Sequence, residues 1–259
     1  MKKRTYLFSS VFLTLISVQA LASEAQFDVD LLASDYSYKE PSIMSLKGTL
    51  IGIGANLTLR NEGLMYRLEG SYQKGNLDYT STSTGSDDGI PNYIYELRGM
   101  LGVDMPGSGA LVTPYTGLGL RRLVDKSSGR LTTTGNWGYE RTQDYVYIPV
   151  GVFWQSAVNG WAIKTNLEYD YLVYGHNRSE TGYVTGYDLT FEQTSGYGLR
   201  GSVSLETPLQ WGAISSVGIT PYINYWNIDS SDRRVVGNQA YIEPKNTTEE
   251  LGIKIRFGF

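Results

Sequence analysis

Cysteine is absent from this 259-residue chain, and histidine occurs once, at His176. The missing thiols remove disulfide stapling and every thiolate centre. No stretch approaches the ~18 uninterrupted apolar residues of a membrane-spanning helix, which excludes a helical inner-membrane protein. Positive charge is not in excess either. Lys and Arg number 22 against 26 Asp and Glu, a net charge of −4 that offers nothing to a nucleic-acid partner. No zinc spacing, phosphate loop or cofactor fingerprint is found, and the acidic strings Asp87-Asp88 and Asp229-Ser230-Ser231-Asp232 lack the ligand number of a calcium site. No metal or cofactor is therefore expected.

The amino terminus is informative. Lys2, Lys3 and Arg4 form a positive n-region, Tyr6 to Val18 a short apolar stretch, and Ala20-Leu21-Ala22 a small-x-small cleavage signal. This pattern predicts a secretory signal peptide over residues 1–22. Its removal, three basic residues and no acidic ones, takes the formal charge from −4 to −7 over residues 23–259. Thirty glycines, 21 tyrosines and a hydrophobic fraction of only 41% suit strands with one polar face.

Strand-like alternation recurs in ten segments. The last is plainest: Leu251, Ile253, Ile255, Phe257 and Phe259 alternate with Gly252, Lys254, Arg256 and Gly258. In another, Ile51, Ile53, Ala55 and Leu57 oppose Gly52, Gly54 and Asn56. A third sets Trp161, Ile163, Leu167, Tyr169 and Tyr171 against Lys164, Asn166, Glu168 and Asp170. Pro114, Pro149 and Pro221 cannot donate to a ladder and are expected to mark bulges. Short connections (Asn61–Gly63, Met105–Ala110, Ser156–Gly160, Thr207–Ala213) alternate with long ones: Lys39–Lys47, Gly75–Asn92, Arg122–Asp144, Gly175–Tyr187 and Asp229–Asn246. Short turns at one end and long loops at the other predict a ten-stranded antiparallel transmembrane β-barrel, all-β and single-domain, over residues 23–259. Aromatics cluster at strand ends: Tyr66, Trp154, Trp161, Phe257 and Phe259 towards the turns, and Tyr72, Tyr93, Tyr95, Tyr169 and Tyr171 towards the loops. These are the expected interfacial girdles.

Inward positions then carry seven cations, Arg67, Arg98, Arg121, Lys164, Arg200, Lys254 and Arg256. They also carry ten anions, Asp28, Asp30, Glu69, Glu96, Asp104, Glu168, Asp170, Glu192, Glu206 and Glu250. Unpaired charges in a narrow lumen are costly, so the set is expected to pair into a network that plugs the barrel, with Lys164 near Glu168. Inward glycines such as Gly52, Gly54, Gly117 and Gly119 leave room for a thin channel as the alternative.

Four strings, together with the terminal strand ending in Phe259, resemble the small bacterial outer-membrane barrels, the group of OmpA-type, OmpX-type and omptin proteins. They are Tyr36-Ser37-Tyr38-Lys39-Glu40-Pro41, Glu168-Tyr169-Asp170, Tyr225-Trp226-Asn227-Ile228-Asp229-Ser230 and the stretch from Glu243 to Gly252. The resemblance implies insertion by the barrel assembly machinery with Phe257 and Phe259 as signal, residence in the outer membrane, contact with its lipid and lipopolysaccharide, and a monomer. It implies no single activity. Omptin-type proteases use outer-loop carboxylates and an Asp-His pair. Here Asp87, Asp88, Asp170 and His176 match in residue type but not in spacing. Lipid hydrolases of this membrane pair His with Ser, yet three residues on a strand place His176 and Ser179 on opposite faces. The expectation is a non-enzymatic structural or surface-interaction protein. A narrow solute pore is the first alternative, and a hydrolase centred on His176 the second.

Overall fold

A computed structural model describes residues 24–259, so the signal peptide over residues 1–22 lies outside the described residues. Period-two alternation makes every segment an extended strand with two chemically distinct faces. In a bilayer such strands must close on themselves, because an open edge leaves backbone groups with no water to bond.

Ten long strands do this: β1 (Glu24–Glu40), β2 (Met44–Asn61), β3 (Leu64–Ser81), β4 (Gly85–Val103), β5 (Ala110–Lys126), β6 (Glu140–Val158), β7 (Trp161–Ser179), β8 (Gly196–Trp211), β9 (Ile214–Ile228) and β10 (Asn246–Gly258). Each pairs antiparallel with the next, and β10 returns to β1 with Asp30 opposite Arg256, closing the barrel. The tight turns Glu62-Gly63, Asn159-Gly160 and Gly212-Ala213 join strands at the periplasmic end. There Gly63, Gly160 and Gly212 take positive φ at 80°, 83° and 61°, a conformation glycine adopts without a Cβ penalty.

The strands are far longer than a membrane requires. Nineteen residues in β4 span ~60 Å at about 3.3 Å each, whereas ~10 tilted residues cross a bilayer. The surplus stands above the outer surface, and there the side-chain logic inverts. In the lower half, Ile51, Ile53, Leu97, Leu101 and Leu167 point out into lipid while charges point in. In the upper half of the same strands, Tyr36, Leu46, Leu77, Ile90, Leu123 and Trp226 point in, and Lys47, Asn76 and Asp144 point out. The backbone parity is unchanged; the medium outside has changed from lipid to water.

This inversion corrects the predicted connections. Lys39–Lys47 and Gly75–Asn92 are not long loops. β1 and β2 run on to a turn at residues 41–43, and β3 and β4 to one at residues 82–84. Their outward polar residues look like loop composition because they face water. The prolines are corrected too: Pro114, Pro149 and Pro221 sit in unbroken register opposite Val152, Asp170 and Ile253. The bulges lie elsewhere. One is opposite Asp78, where Gly89 takes φ 72° and its N–H donates to the Asp78 carboxylate at 2.9 Å. A second is at Val173 in β7, the extra residue between the Val146–Tyr174 and Tyr147–Leu172 pairs, and a third register shift falls between Pro208 and Trp211 at the end of β8.

Outward aromatics ring both ends of the apolar belt. Tyr66, Trp154, Trp161 and Phe259 are exposed at the lower end, joined by Trp211, which the sequence reading did not include. The Phe259 ring meets that of Phe27 in a tilted contact at 5.8 Å, and its N–H donates to the Phe27 carbonyl. Tyr169, Tyr197 and Tyr225 form a ladder of rings at 5.9 and 6.2 Å near the upper end. Such rings suit headgroup depth, with an apolar body and a polar tip.

Two substitutions test the inversion. Leu167→Arg, on the lipid face, is expected to cost ~2–4 kcal/mol in guanidinium unfolding of the vesicle-inserted barrel. Asn76→Arg, equally outward but above the membrane, is expected to stay within about 0.5 kcal/mol. Equal costs at the two positions would refute the assignment.

Candidate functional site: the barrel interior and its outer mouth

Inward side chains stack in three storeys. At the periplasmic end a polar cavity of about 120 Å³ is lined by residues including Asp30, Asn56, Arg67, Lys254 and Arg256. Arg256 grips Asp30 with two hydrogen bonds of 2.8 and 2.9 Å, and Asn56 donates to the same carboxylate at 2.9 Å. Lys164 reaches Glu206 at 2.5 Å, not Glu168 as its spacing suggested, because β8 lies beside β7 and brings Glu206 closer. Arg67 pairs with Glu69 at 2.6 Å along its own strand, and Arg60 with Asp104 at the rim.

The middle storey is a cross-barrel charge belt. Arg200 donates to Asp170 at 2.6 Å and, through both terminal nitrogens, to Glu96 at 2.8 and 2.6 Å. Arg98 pairs with Glu168, which also accepts from the Tyr115 hydroxyl at 2.5 Å. Arg121 stands 4.0 Å from Glu96. Tyr147 donates to Glu96 at 2.8 Å, and Tyr222 to Glu250 at 2.7 Å. The tyrosines are partners that charge counting alone did not reveal. Sequence neighbours such as Glu96 and Arg98 are spent on opposite walls rather than on each other, since the lumen is narrow enough for long side chains to cross it.

Above the belt the interior is apolar. Leu50, Leu77, Tyr147 and Ile228 are wholly buried, and Tyr147 meets Trp226 edge-on at 5.0 Å. The Trp226 ring also lies over Arg121 and Arg200, capping the belt. The expected salt-bridged plug is thus only the middle of the filling; an aromatic core closes the outer half.

The outer mouth carries one further buried cluster. Arg141 on β6 pairs with Glu40 on β1 and stands 3.7 Å from Glu243, which belongs to the link between β9 and β10. Asn177 on β7 donates to Glu243 at 2.5 Å. Ser231 and Glu243 exchange hydrogen bonds through backbone and hydroxyl, pinning the base of a small hairpin (Arg234–Val236 with Gln239–Tyr241) that projects outward. In the sequence Glu243 stands out only as the start of the stretch to Gly252, because its burial depends on three separated strands, β1, β6 and β7.

Two sequence-derived placements change. Glu192 is not a lumen residue. It lies in a short strand (Leu189–Gln193) opposite His176, is exposed on the outer face, and accepts from the Tyr174 hydroxyl at 3.2 Å. The Val173 bulge shifts side-chain parity along β7, so Asp170 points inward, fully buried, while His176 points outward and Asn177 and Ser179 point in. His176 therefore does not meet Asp170, and its spacing of three keeps it off the face of Ser179. Its strand neighbours are Asp144 and Glu192. Asp87 is held by Arg130 at 2.6 and 2.8 Å and braces the residue 127–139 loop. Among the described residues, no cluster of three or more His, Asp or Glu is placed to hold a metal ion.

No family model and no curated protein matches the chain. Solved structures do. The outer-membrane protease OmpT from Escherichia coli superposes with a TM-score of 0.60 at 11% identity, over 92% of this chain and 97% of that one. The translocator domain of the autotransporter NalP from Neisseria meningitidis gives 0.43 at 10% identity, over 91% and 90%. Ail, the attachment invasion locus protein of Yersinia pestis, gives 0.33 at 12%, over 90% and 99%. The OmpT likeness, at 11% identity, is one of fold, and the fold is that of a membrane-inserted antiparallel barrel. The chain is a small bacterial outer-membrane β-barrel, residing in the outer membrane.

Two outcomes are expected from the site. Arg200→Ala leaves Glu96 and Asp170 without their shared cation and should cost ~3–5 kcal/mol in unfolding, whereas Lys39→Ala, which loses only an exposed pair with Glu249, should cost less than about 1 kcal/mol. Burial pushes the Glu243 carboxyl up to about 7, against the pull of Arg141 and with the push of Glu40. The docked state of its loop therefore holds an extra proton between the ordinary glutamate value and about pH 7. Docking should loosen as pH rises through that window and change no further above it. Hydrogen exchange over residues 229–245 should accelerate between pH 5 and about pH 7 and then level off, once corrected for intrinsic rates, and Glu243→Gln should abolish the difference.

Proposed function

We propose that this barrel is a monomeric, non-enzymatic structural or surface-interaction protein. It presents its upper strands and outer loops to the cell exterior on a lumen that does not conduct. The observation that carries this reading is the aromatic closure of the outer half, with Tyr147 and Trp226 packed over a belt in which Arg98 and Arg200 are each bonded to two or more carboxylates. Opening a path would require breaking buried ion pairs and emptying an apolar core together, which is expensive on both counts. The exterior offers binding chemistry instead. Trp137 and Leu131 are exposed on the residue 127–139 loop, Tyr183 and Val184 on a helical turn, and Val235 on the β9–β10 hairpin.

OmpT, the barrel with the higher TM-score, is a protease, so the fold by itself fixes no chemistry. What speaks against a hydrolase here is the turning of His176 away from Asp170 by the β7 bulge, together with the odd spacing that sets Ser179 on the opposite face. The narrow-pore reading has the periplasmic cavity in its favour; against it stand the apolar storey and the inward glycines themselves, since the Tyr147 ring fills the space beside Gly119 and the Tyr222 ring that beside Gly252.

Planar-bilayer recording of the refolded mature protein tests the proposal. Silence from a protein that is folded by its heat-modifiable gel mobility is expected. Discrete, reproducible openings would overturn it, and a change in their ion selectivity on Glu96→Gln would then assign the belt as a filter.

A further inference from the structure

Lys254, on β10, is the one lumen cation without an ion pair or hydrogen bond among the described residues. Its ammonium lies 4.9 Å from the centroid of the Tyr222 ring and lines the periplasmic cavity. The charged groups around it are Asp30, Glu69, Glu250 and Arg256. All three carboxylates are already engaged: Asp30 by Arg256 and Asn56, Glu69 by Arg67 and Arg98, Glu250 by Tyr222 and Asn224. The cavity wall carries seven cationic side chains against four carboxylates, and four further carboxylates just behind it pair with Arg60, Arg98, Lys164 and Arg200, so Lys254 is the wall cation left without a partner of its own.

An unpaired ammonium enclosed by low-dielectric walls is costly unless a counter-charge joins it. The neighbouring guanidiniums have donors to spare. Arg67 uses Nε and Nη1, leaving Nη2, and Arg256 uses Nε and Nη2 in its grip on Asp30, with Nη1 3.6 Å from Glu206, beyond hydrogen-bond reach. A cavity of about 120 Å³ holds several waters and so admits a phosphate or a small carboxylate in their place.

We propose that the periplasmic half of the barrel is a binding site for a small free oxyanion, phosphate or carboxylate, seated on the Lys254 ammonium between Arg67 and Arg256. The site is independent of the outer surface and of whether the barrel conducts. It opens to the periplasmic side, past Gln26, Arg60 and Gln155, and the belt and aromatic core close it above.

Calorimetric titration of the refolded barrel in uncharged maltoside micelles with inorganic phosphate, at constant ionic strength in chloride, tests this. One saturable site is expected. Lys254→Arg should stay within about threefold of the wild type, and Lys254→Gln should lose at least tenfold. Gly54→Asp supplies a second variant that removes no native ion-pair partner. Its Cβ meets nothing closer than 3.6 Å, and it sets an extra carboxylate in the cavity wall. It should abolish binding even if Lys254→Gln fails to refold. No saturable phosphate binding by the wild type, or unchanged binding in Gly54→Asp, would overturn the proposal. The lipid source is separated by a parallel arm. If phosphate does not bind in micelles and a Lys254-dependent shift in unfolding midpoint appears only in vesicles containing phosphatidylglycerol, the occupant is a headgroup, and the free-oxyanion site is refuted.

Discussion

Everything in this barrel follows from a change of solvent along the length of its strands. A strand fixes which side chains point in and which point out, but not which side is dry. Below the outer membrane surface the dry side is outside, so Ile53, Leu97 and Leu167 face lipid and the charges turn inward. Above it the dry side is inside, so Leu50, Leu77 and Trp226 pack together and Lys47 and Asn76 face water. One chain thus builds an inside-out barrel and an ordinary water-soluble barrel end to end, sharing ten continuous strands.

The charge belt sits at the junction of these regimes. It is the level at which inward side chains change from polar to apolar. Arg200 exemplifies the solution: its planar fork satisfies Glu96 and Asp170 while its face lies over Tyr147 and Trp226, so one residue belongs to both storeys. Lysine would supply the charge without the fork or the stacking. Lys254, lower down, has no such arrangement, which is why it stands apart as a candidate ligand contact.

At the outer mouth, Arg141 joins Glu40 and Glu243 where the water-facing barrel ends. The β9–β10 link is thereby tied to the barrel wall rather than left to wave above it. A surface-presenting role is served by that tether, because an ordered loop loses less conformational entropy when it meets a partner. The carboxyl of Glu243, held near neutrality by its burial, makes the tether responsive to the pH of the exterior.

The alternation of Leu251 to Phe259, the inward charges and the count of ten strands were legible from the residues alone, because period two and residue polarity are local properties. The same local pattern also contained the inversion: apolar residues change faces at Leu46–Ile51 and at Tyr72–Leu77. Read without knowledge of where the membrane ends, it passed for loop. Which arginine meets which carboxylate was decided only by closure, since Arg98 and Glu168 stand on strands 70 residues apart. The Val173 bulge is likewise a tertiary matter. A single extra residue, invisible in the periodicity, turns His176 outward and takes with it the only histidine from which a catalytic pair had been considered.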